Sequence, residues 1–282
     1  MATATAVSNS ALFSEKRVAV LGAGKMGGII LRALLNEGFI TPDRACATVL
    51  YPHEVEAVTK NFKIAVGQDN AAAVRGADIV LLSVKPQQVK EVLEGVRGVV
   101  RTDQLFISVA ASVPTAFMER ALAAKVPVVR AMPNTPCFIR RGMTALCKGA
   151  YADDRHVALA KALFDTIGRA VVLDEKYMDA VTGLSSSGPA YIYVIIESLA
   201  EAGVKVGLSR DLATLLAAQT TLGAASMVLE TGDHPALLKD AVTTPAGCTI
   251  DGLLELEEGK LRVTLIKAVV KAVHRAKELM FS

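Results

Sequence analysis

Between Arg17 and about Leu173 the chain alternates two hydrophobic periods, and this alternation limits its fold more than any other feature. The runs "RVAVL", "ACATVL", "ADIVLLSV", "QLFISVA" and "VPVVRAM" are nearly continuous in apolar and β-branched residues and have the length of strands. Helix-like stretches such as "KMGGIILRALLNEG" and "PQQVKEVLEGV" lie between them. Strands that are apolar on both faces need cover on both sides, so the pattern predicts an α/β fold with a doubly wound parallel sheet. "GMTALCKG" and "RAVVL" add two last strands around the helix "DDRHVALAKALFDTIG", closing a first domain over residues 1–173. Within it, residues 1–15 read as a flexible tail.

Beyond Leu173 the strand signal fades, and residues 174–282 read as an all-helical domain. "GPAYIYVIIESLAEAG" sets Pro189 in a helix's first turn and Gly203 at its stop. Its middle, "YIYVII", fits a strand by period alone, but the length favours helix. In the last segment Leu261, Leu265, Val269 and Val273 share one face while Lys267, Lys271 and Arg275 share another, the pattern of an amphipathic helix. Leu212 to Leu229 runs 18 residues without a charge. Its Thr214, Gln219, Thr220, Thr221 and Gly223 suit protein better than lipid, so no membrane span is expected. The small residues Ala217, Ala218, Gly223, Ala224, Ala225 and Ser226 form a surface that another helix can approach closely, and a second copy of the chain is the expected cover. The alternative is packing within one chain.

The totals exclude several classes. A net charge of +3 with no block of Lys or Arg argues against nucleic acid. Four cysteines without a CxxC pair and four histidines outside any HExxH support neither a metal site nor a disulfide framework. "MATATAVSNSALFSEK" lacks the basic start and apolar core of a signal peptide. A reduced, cytoplasmic protein is expected.

"VAVLGAGKMGG" places Gly22, Gly24 and Gly27 in GxGxxG spacing, directly after a strand and opening a helix. The spacing alone is weak, and a purely structural glycine turn is the competing reading. The strand–turn–helix context is the one a Rossmann-type dinucleotide site requires. Gly22 permits the tight turn, Gly24 lets backbone approach a pyrophosphate, and Gly27 lets the helix lie close on the sheet. An NAD site usually carries Asp or Glu at the end of the second strand, for the ribose 2′-hydroxyl. Here "ATVLYPHE" has no carboxylate before Glu54, and His53 or a nearby amide can meet a 2′-phosphate. NADP is therefore the expected cofactor, with NAD still open.

Three expected strand ends carry polar or turn residues: "SVKPQ", "SVAASVP" and "RAMPNTPCFIRRG". None holds a histidine or carboxylate, so no general base for oxidising an alcohol is evident. Reduction of a protonated C=N bond needs little acid–base help and suits such a site. It needs an anion holder for the substrate's tail. "VTTPAGCTIDGL", with Thr243, Thr244 and Thr249 and open amides at a helix start, has that chemistry.

"MPNTP", "SVKPQ", "SSSGPAYIYVIIESLAEAGVKVGL" and above all "VTTPAGCTIDGLLELEEGKLR" resemble pyrroline-5-carboxylate reductase from about Arg17 to the C-terminus. The resemblance implies a Rossmann domain followed by a helical dimerisation domain, and NAD(P)H-dependent reduction of 1-pyrroline-5-carboxylate to proline. It implies that Thr244, Gly247, Cys248 and Thr249 hold the substrate, with amides around Cys248 and Thr249 on its carboxylate. The Thr249 hydroxyl would bond the ring nitrogen as the catalytic residue. Met132, Pro133 and Asn134 would lie beside the ring. Gly22, Ala23, Gly24, Lys25, Met26, Gly27, Asn70, Ser83, Val84, Lys85, Pro86, Val109, Ala110 and Ala111 would line the cofactor. In the family a partner subunit completes the site, so a homo-oligomer of dimers or larger is implied.

Departures from the family pattern are Ala246 and Ser186 where glycine is frequent, and the pair Arg140–Arg141. That pair is either a solvated surface feature or an attraction for anions. Two rivals remain: a 3-hydroxyacid dehydrogenase, whose catalytic lysine is missing from Gly188 to Gly203, and a non-catalytic NADP-sensing scaffold.

Overall fold

The computed structural model of the chain describes residues 12, 13 and 15–278. The expected tail over residues 1–15 thus lies mostly outside the described residues. Near its end Phe13 is buried and stacks on Phe39 with ring centroids 4.7 Å apart, so the core takes hold of the chain earlier than expected.

The first part alternates as its hydrophobic pattern requires: β1 (Val18–Leu21), α1 (Lys25–Asn36), β2 (Ala45–Thr48), α2 (Glu54–Phe62) and β3 (Ala65–Gly67). Next come α3 (Asn70–Arg75), β4 (Ile79–Leu82), α4 (Val89–Val96), β5 (Leu105–Ser108), α5 (Thr115–Leu122) and β6 (Val128–Met132). β7 (Gly142–Lys148), α6 (Asp154–Asp165) and β8 (Gly168–Val172) follow. All eight strands join one sheet in the order β3-β2-β1-β4-β5-β6-β7-β8. Successive residues of one strand serve opposite faces. Val18, Val20, Ile79, Leu81 and Ile107 pack with Ile30, Leu31 and Leu34 of α1, while Ala19, Leu21, Val80, Leu82 and Phe106 pack with Leu93 of α4 and Met118 of α5. This two-sided burial is why the strands read as unbroken apolar runs.

The sheet departs from the expected all-parallel form at one place, where β6 and β7 pair antiparallel, Met132 opposite Ala145. The link from Pro133 to Arg141 holds only a short 3-10 turn, Thr135–Ile139. That is too short for the helical crossover a parallel return needs.

Contacts divide the chain at Ser186: Ser187–Ala272 form one compact unit, and the residues before it, with those from Val273 on, form the other. Residues 174–186, grouped by sequence with the helical part, hold to the sheet for two reasons. Met178 of the short α7 (Met178–Val181) is buried with Met132, Ala145 and Cys147. Glu175 accepts hydrogen bonds from the Thr115 amide (2.8 Å) and hydroxyl (2.6 Å) and pairs with Arg130 Nη1 at 3.3 Å. Arg130 is only 2% exposed, and its Nε and Nη2 have no protein partner, so Glu175 is the charge that makes its burial tolerable.

The second unit is helical: α8 (Gly188–Lys205), α9 (Arg210–Thr231), α10 (Pro235–Ala241), α11 (Cys248–Glu258) and most of α12 (Leu261–Glu278). Small residues bring α8 and α9 together, with Ala200 packed on Ala213 and Ala217. A side chain on Gly203 would meet Ala213 Cβ at 2.8 Å. Part of the expected small-residue surface is therefore used within the chain, through Ala217, whereas Ala224 and Ala225 stay exposed. So do Leu215, Leu222, Leu229, Leu254 and Ile266. By length and composition α9 is apolar enough to cross a membrane.

Replacing Glu175 by Ala strands the Arg130 charge in a buried site and is expected to lower the unfolding free energy by about 3 kcal/mol in urea denaturation. A loss under about 1 kcal/mol would mean that Arg130 is held by something other than Glu175.

Candidate functional site

In an open α/β sheet the ligand crevice lies at the strand ends where the order reverses, which here is between the neighbours β1 and β4. A cleft of about 410 Å³ opens there. The β1–α1 turn supplies Gly22, Ala23 and Gly24, the β2 end Thr48 and Tyr51, and the β4 end Ser83, Val84 and Lys85. Glu54, Gln68 and Asn70 also line it.

The turn is built by backbone bonding. The amides of Gly22 (3.2 Å) and Ala23 (2.8 Å) both donate to the carbonyl of Thr48. Gly22 has φ +89°, and a Cβ there would lie 2.9 Å from the Ser83 carbonyl oxygen, so only glycine fits. A Cβ on Gly27 would strike the Gly22 carbonyl oxygen. At Gly24 a Cβ would meet nothing within 4 Å, so the backbone there faces open space. The first helical hydrogen bond runs from Gly28 N to Gly24 O (2.8 Å), which leaves the amides of Lys25, Met26 and Gly27 at a positive helix end. A pyrophosphate fits this arrangement.

Asn70 is oriented by Thr48, whose hydroxyl donates to Asn70 Oδ1 at 2.7 Å and accepts from Gly22 N at 3.2 Å. Among the described residues the Asn70 side-chain NH2 has no hydrogen-bond partner. Thr48, Tyr51, Glu54 and Gln68 are cleft residues that the sequence reading did not pick out; only their place just past apolar strands marks them. His53, or a nearby backbone amide, is the expected partner for a 2′-phosphate. His53 stacks on Tyr51 instead, 5.5 Å between centroids, and is not among the cleft residues. Nor are Met26, Gly27, Pro86, Val109, Ala110 and Ala111; Ala110 is buried behind β5.

A larger concavity of about 550 Å³ shares Ala23 and Gly24 but runs along α1 and α2 and includes Lys25. Its two arginines already have partners. Arg32 donates to Asn61 (3.0 Å) and lies over the Phe62 ring, and Arg140 pairs with Glu37 at 2.8 Å. The strand-end cleft is the better dinucleotide site.

The expected substrate residues fall in two places. Met132 and Pro133 are buried at the end of β6. Asn134 is spent on structure, accepting from Met143 N (2.9 Å) and donating to Ser185 O (3.1 Å) in the π-helical turn Thr182–Ser186. Burial pushes the thiol of Cys137 up and that of Cys147 up to about 12, the latter aided by the Glu175 charge, so neither is a nucleophile at neutral pH.

The segment Val242–Gly247 joins α10 to α11. Gly247 N bonds Thr244 O at 3.0 Å, and Ala246 adopts φ +58°. With Pro245 before it, this has the form of a type II turn whose glycine position is filled by alanine. Gly247 then caps α11 in extended conformation, with no side chain bonded to the first turn. The amides of Cys248 and Thr249 stand at an open helix start, Cys248 exposed and Thr249 half-buried.

Comparison with known proteins covers both parts of the chain. A family model described as pyrroline-5-carboxylate reductase dimerisation matches residues 175–279, and one described as NADP oxidoreductase, coenzyme F420-dependent, matches residues 17–112. The pyrroline-5-carboxylate reductase of Methanosarcina acetivorans is 41% identical over 265 residues, 94% of this chain and 98% of that one. That of Arabidopsis thaliana is 41% identical over 93% of this chain and 95% of its own. Among solved structures, a pyrroline-5-carboxylate reductase from Coxiella burnetii superposes with TM-score 0.87 at 37% identity, covering 94% of this chain and 98% of that one. A Plasmodium falciparum pyrroline carboxylate reductase with NADP bound gives 0.84 at 29% identity over the same shares. With about two residues in five identical along nearly its whole length, the chain belongs to the pyrroline-5-carboxylate reductase family.

Proposed function

We propose that this protein reduces 1-pyrroline-5-carboxylate to L-proline, the last step of proline synthesis, with NADPH as hydride donor. The observation that carries the reading is the near-full-length identity to proteins of that name, on a chain with an open glycine turn beside its strand-end cleft. When bound, the reduced nicotinamide supplies the hydride. The residues of this chain bind and align.

Gly22–Gly24 and the first-turn amides of α1 hold the pyrophosphate, and Asn70, Ser83, Val84 and Lys85 line the rest of the cofactor. The amides of Cys248 and Thr249 hold the substrate carboxylate at the positive end of α11, with Thr244 and Gly247 shaping the turn before it. The imine reacts as its protonated form, so its carbon is already electrophilic and its nitrogen needs no further proton. The Thr249 hydroxyl accepts a hydrogen bond from that N–H and fixes the ring's orientation, which is where the rate is gained. We set Met132, Pro133 and Asn134 beside the substrate ring, with Asn134 held in place by its bonds to Met143 and Ser185.

We read the exposed apolar surface of the helical unit as the interface of a homo-oligomer, a dimer at least, rather than a membrane face. Leu215, Leu222 and Leu229 of α9 are all more than half exposed on a chain matched by a dimerisation model. The cytoplasm is the compartment we assign, on the free cysteines.

Consumption of NADPH with pyrroline-5-carboxylate, but not with hydroxyacids or ketoacids, tests the assignment directly; turnover of the latter alone would end it. Thr249→Ala is expected to lower kcat/KM by about tenfold to a hundredfold while NADPH binding holds within about twofold. A large loss of cofactor affinity would mean that Thr249 acts elsewhere. Ala224→Leu places a bulky side chain on the exposed stretch of α9 and is expected to shift the sedimentation profile toward monomer. An unaltered profile would remove that stretch from the interface.

A further inference from the structure

We infer that Glu54 sets this protein's discrimination between the two nicotinamide dinucleotides, holding back the 2′-phosphorylated one; the inference rests on the cofactor reading above. In sequence Glu54 stands past the end of β2 and would lie outside the ribose site. The fold returns it. Glu54 N donates to Tyr51 O at 3.1 Å, and Tyr51 N donates to Glu54 Oε2 at 3.2 Å, a reciprocal turn that seats the carboxylate on the wall of the cleft.

Three observations give this carboxylate its effect. The end of β2 is where the adenosine ribose lies in a site of this topology. The Tyr51 amide, a donor on the same wall of the cleft, is already taken by Glu54. Among the described residues of the cleft the cation is Lys85, which follows β4, and His53 has turned to stack on Tyr51 outside the cleft. A phosphate there meets a like charge and an occupied donor, whereas a ribose 2′-hydroxyl meets an acceptor. Specificity of this kind works through repulsion of one ligand as much as attraction of the other. NADPH is used despite Glu54, and NADH is a competent second donor.

The test is direct binding of each nucleotide to the full chain without substrate, followed by nucleotide fluorescence. Glu54→Gln keeps the size of the side chain and an acceptor for Tyr51 N but removes the charge. It is expected to shift the ratio of NADH to NADPH dissociation constants at least about threefold toward NADPH. Glu54→Ala, which also uncovers the Tyr51 amide, is expected to shift it further, and decides the matter if the glutamine variant does not fold. A smaller shift, or one toward NADH, overturns the inference while leaving the reductase assignment in place. A parent protein that binds neither nucleotide overturns the cofactor reading and this inference together. If both bind and the ratio shifts but pyrroline-5-carboxylate is not reduced, the substrate assignment falls and the role of Glu54 stands.

Discussion

Two amides, those of Gly22 and Ala23, converge on one carbonyl, that of Thr48, and the front half of the molecule is arranged around that contact. It ties the end of β1 to the end of β2 and so fixes where the chain leaves the sheet. Because both amides are spent, the next donors along the chain, from Gly24 to Gly27, are the ones left for a ligand. Thr48 adds its hydroxyl to the same junction and passes the constraint to Asn70. One strand-end residue thus sets the turn, the helix start and a polar side chain of the cleft. A rigid scaffold holding polar groups at loop ends is how α/β folds build such sites.

At the other end of the sheet, order comes from buried polar groups. Arg130 sits among apolar residues in the middle of β6, with Glu175 as its counter-charge and Thr115 as that carboxylate's second anchor. A well-packed apolar trio would cost less than this ion pair. What the pair does is decide where the chain goes after β8: Glu175 is pinned, Met178 follows into the core, and Asn134 then meets Ser185. Four segments distant in sequence are joined at the end of β6 by directional bonds that apolar contacts would not specify.

The legible part of the fold was the part that apolar burial dictates. β1, β2 and β4 to β8, the helices α1, α4, α6 and α8, and the amphipathic face of α12 all follow from residues that must leave water. β3 escaped because it is three residues at a sheet edge, and α2 because Phe62 is its one buried residue. The reversal of β7 escaped because strand direction depends on the connection, not on strand composition. The site divided the same way. The glycine turn is a local steric requirement, and Asn70 and Ser83–Lys85, named by family likeness, line the same cleft. Thr48 and Glu54 act through bonds to residues on other elements, or across a turn, and carry no local signature. His53, one of two groups expected near a 2′-phosphate, stacks on the aromatic ring two residues before it.

The loop that opens α11 is built differently from the turn that opens α1. There, glycine removes strain; here, Ala246 accepts it, in a left-handed conformation that disfavours an L-residue by about 1–2 kcal/mol. The flanking residues make this tolerable. Pro245 has its φ restricted before folding, and the bond from Gly247 N to Thr244 O closes the turn around the alanine. A glycine at 246 would leave the unfolded loop more conformations to lose. Alanine exchanges part of that entropy cost for a fixed exit direction into Gly247. The helix start then presents the amides of Cys248 and Thr249 in a fixed direction. Preorganised donors of this kind lower the cost of binding a small anion.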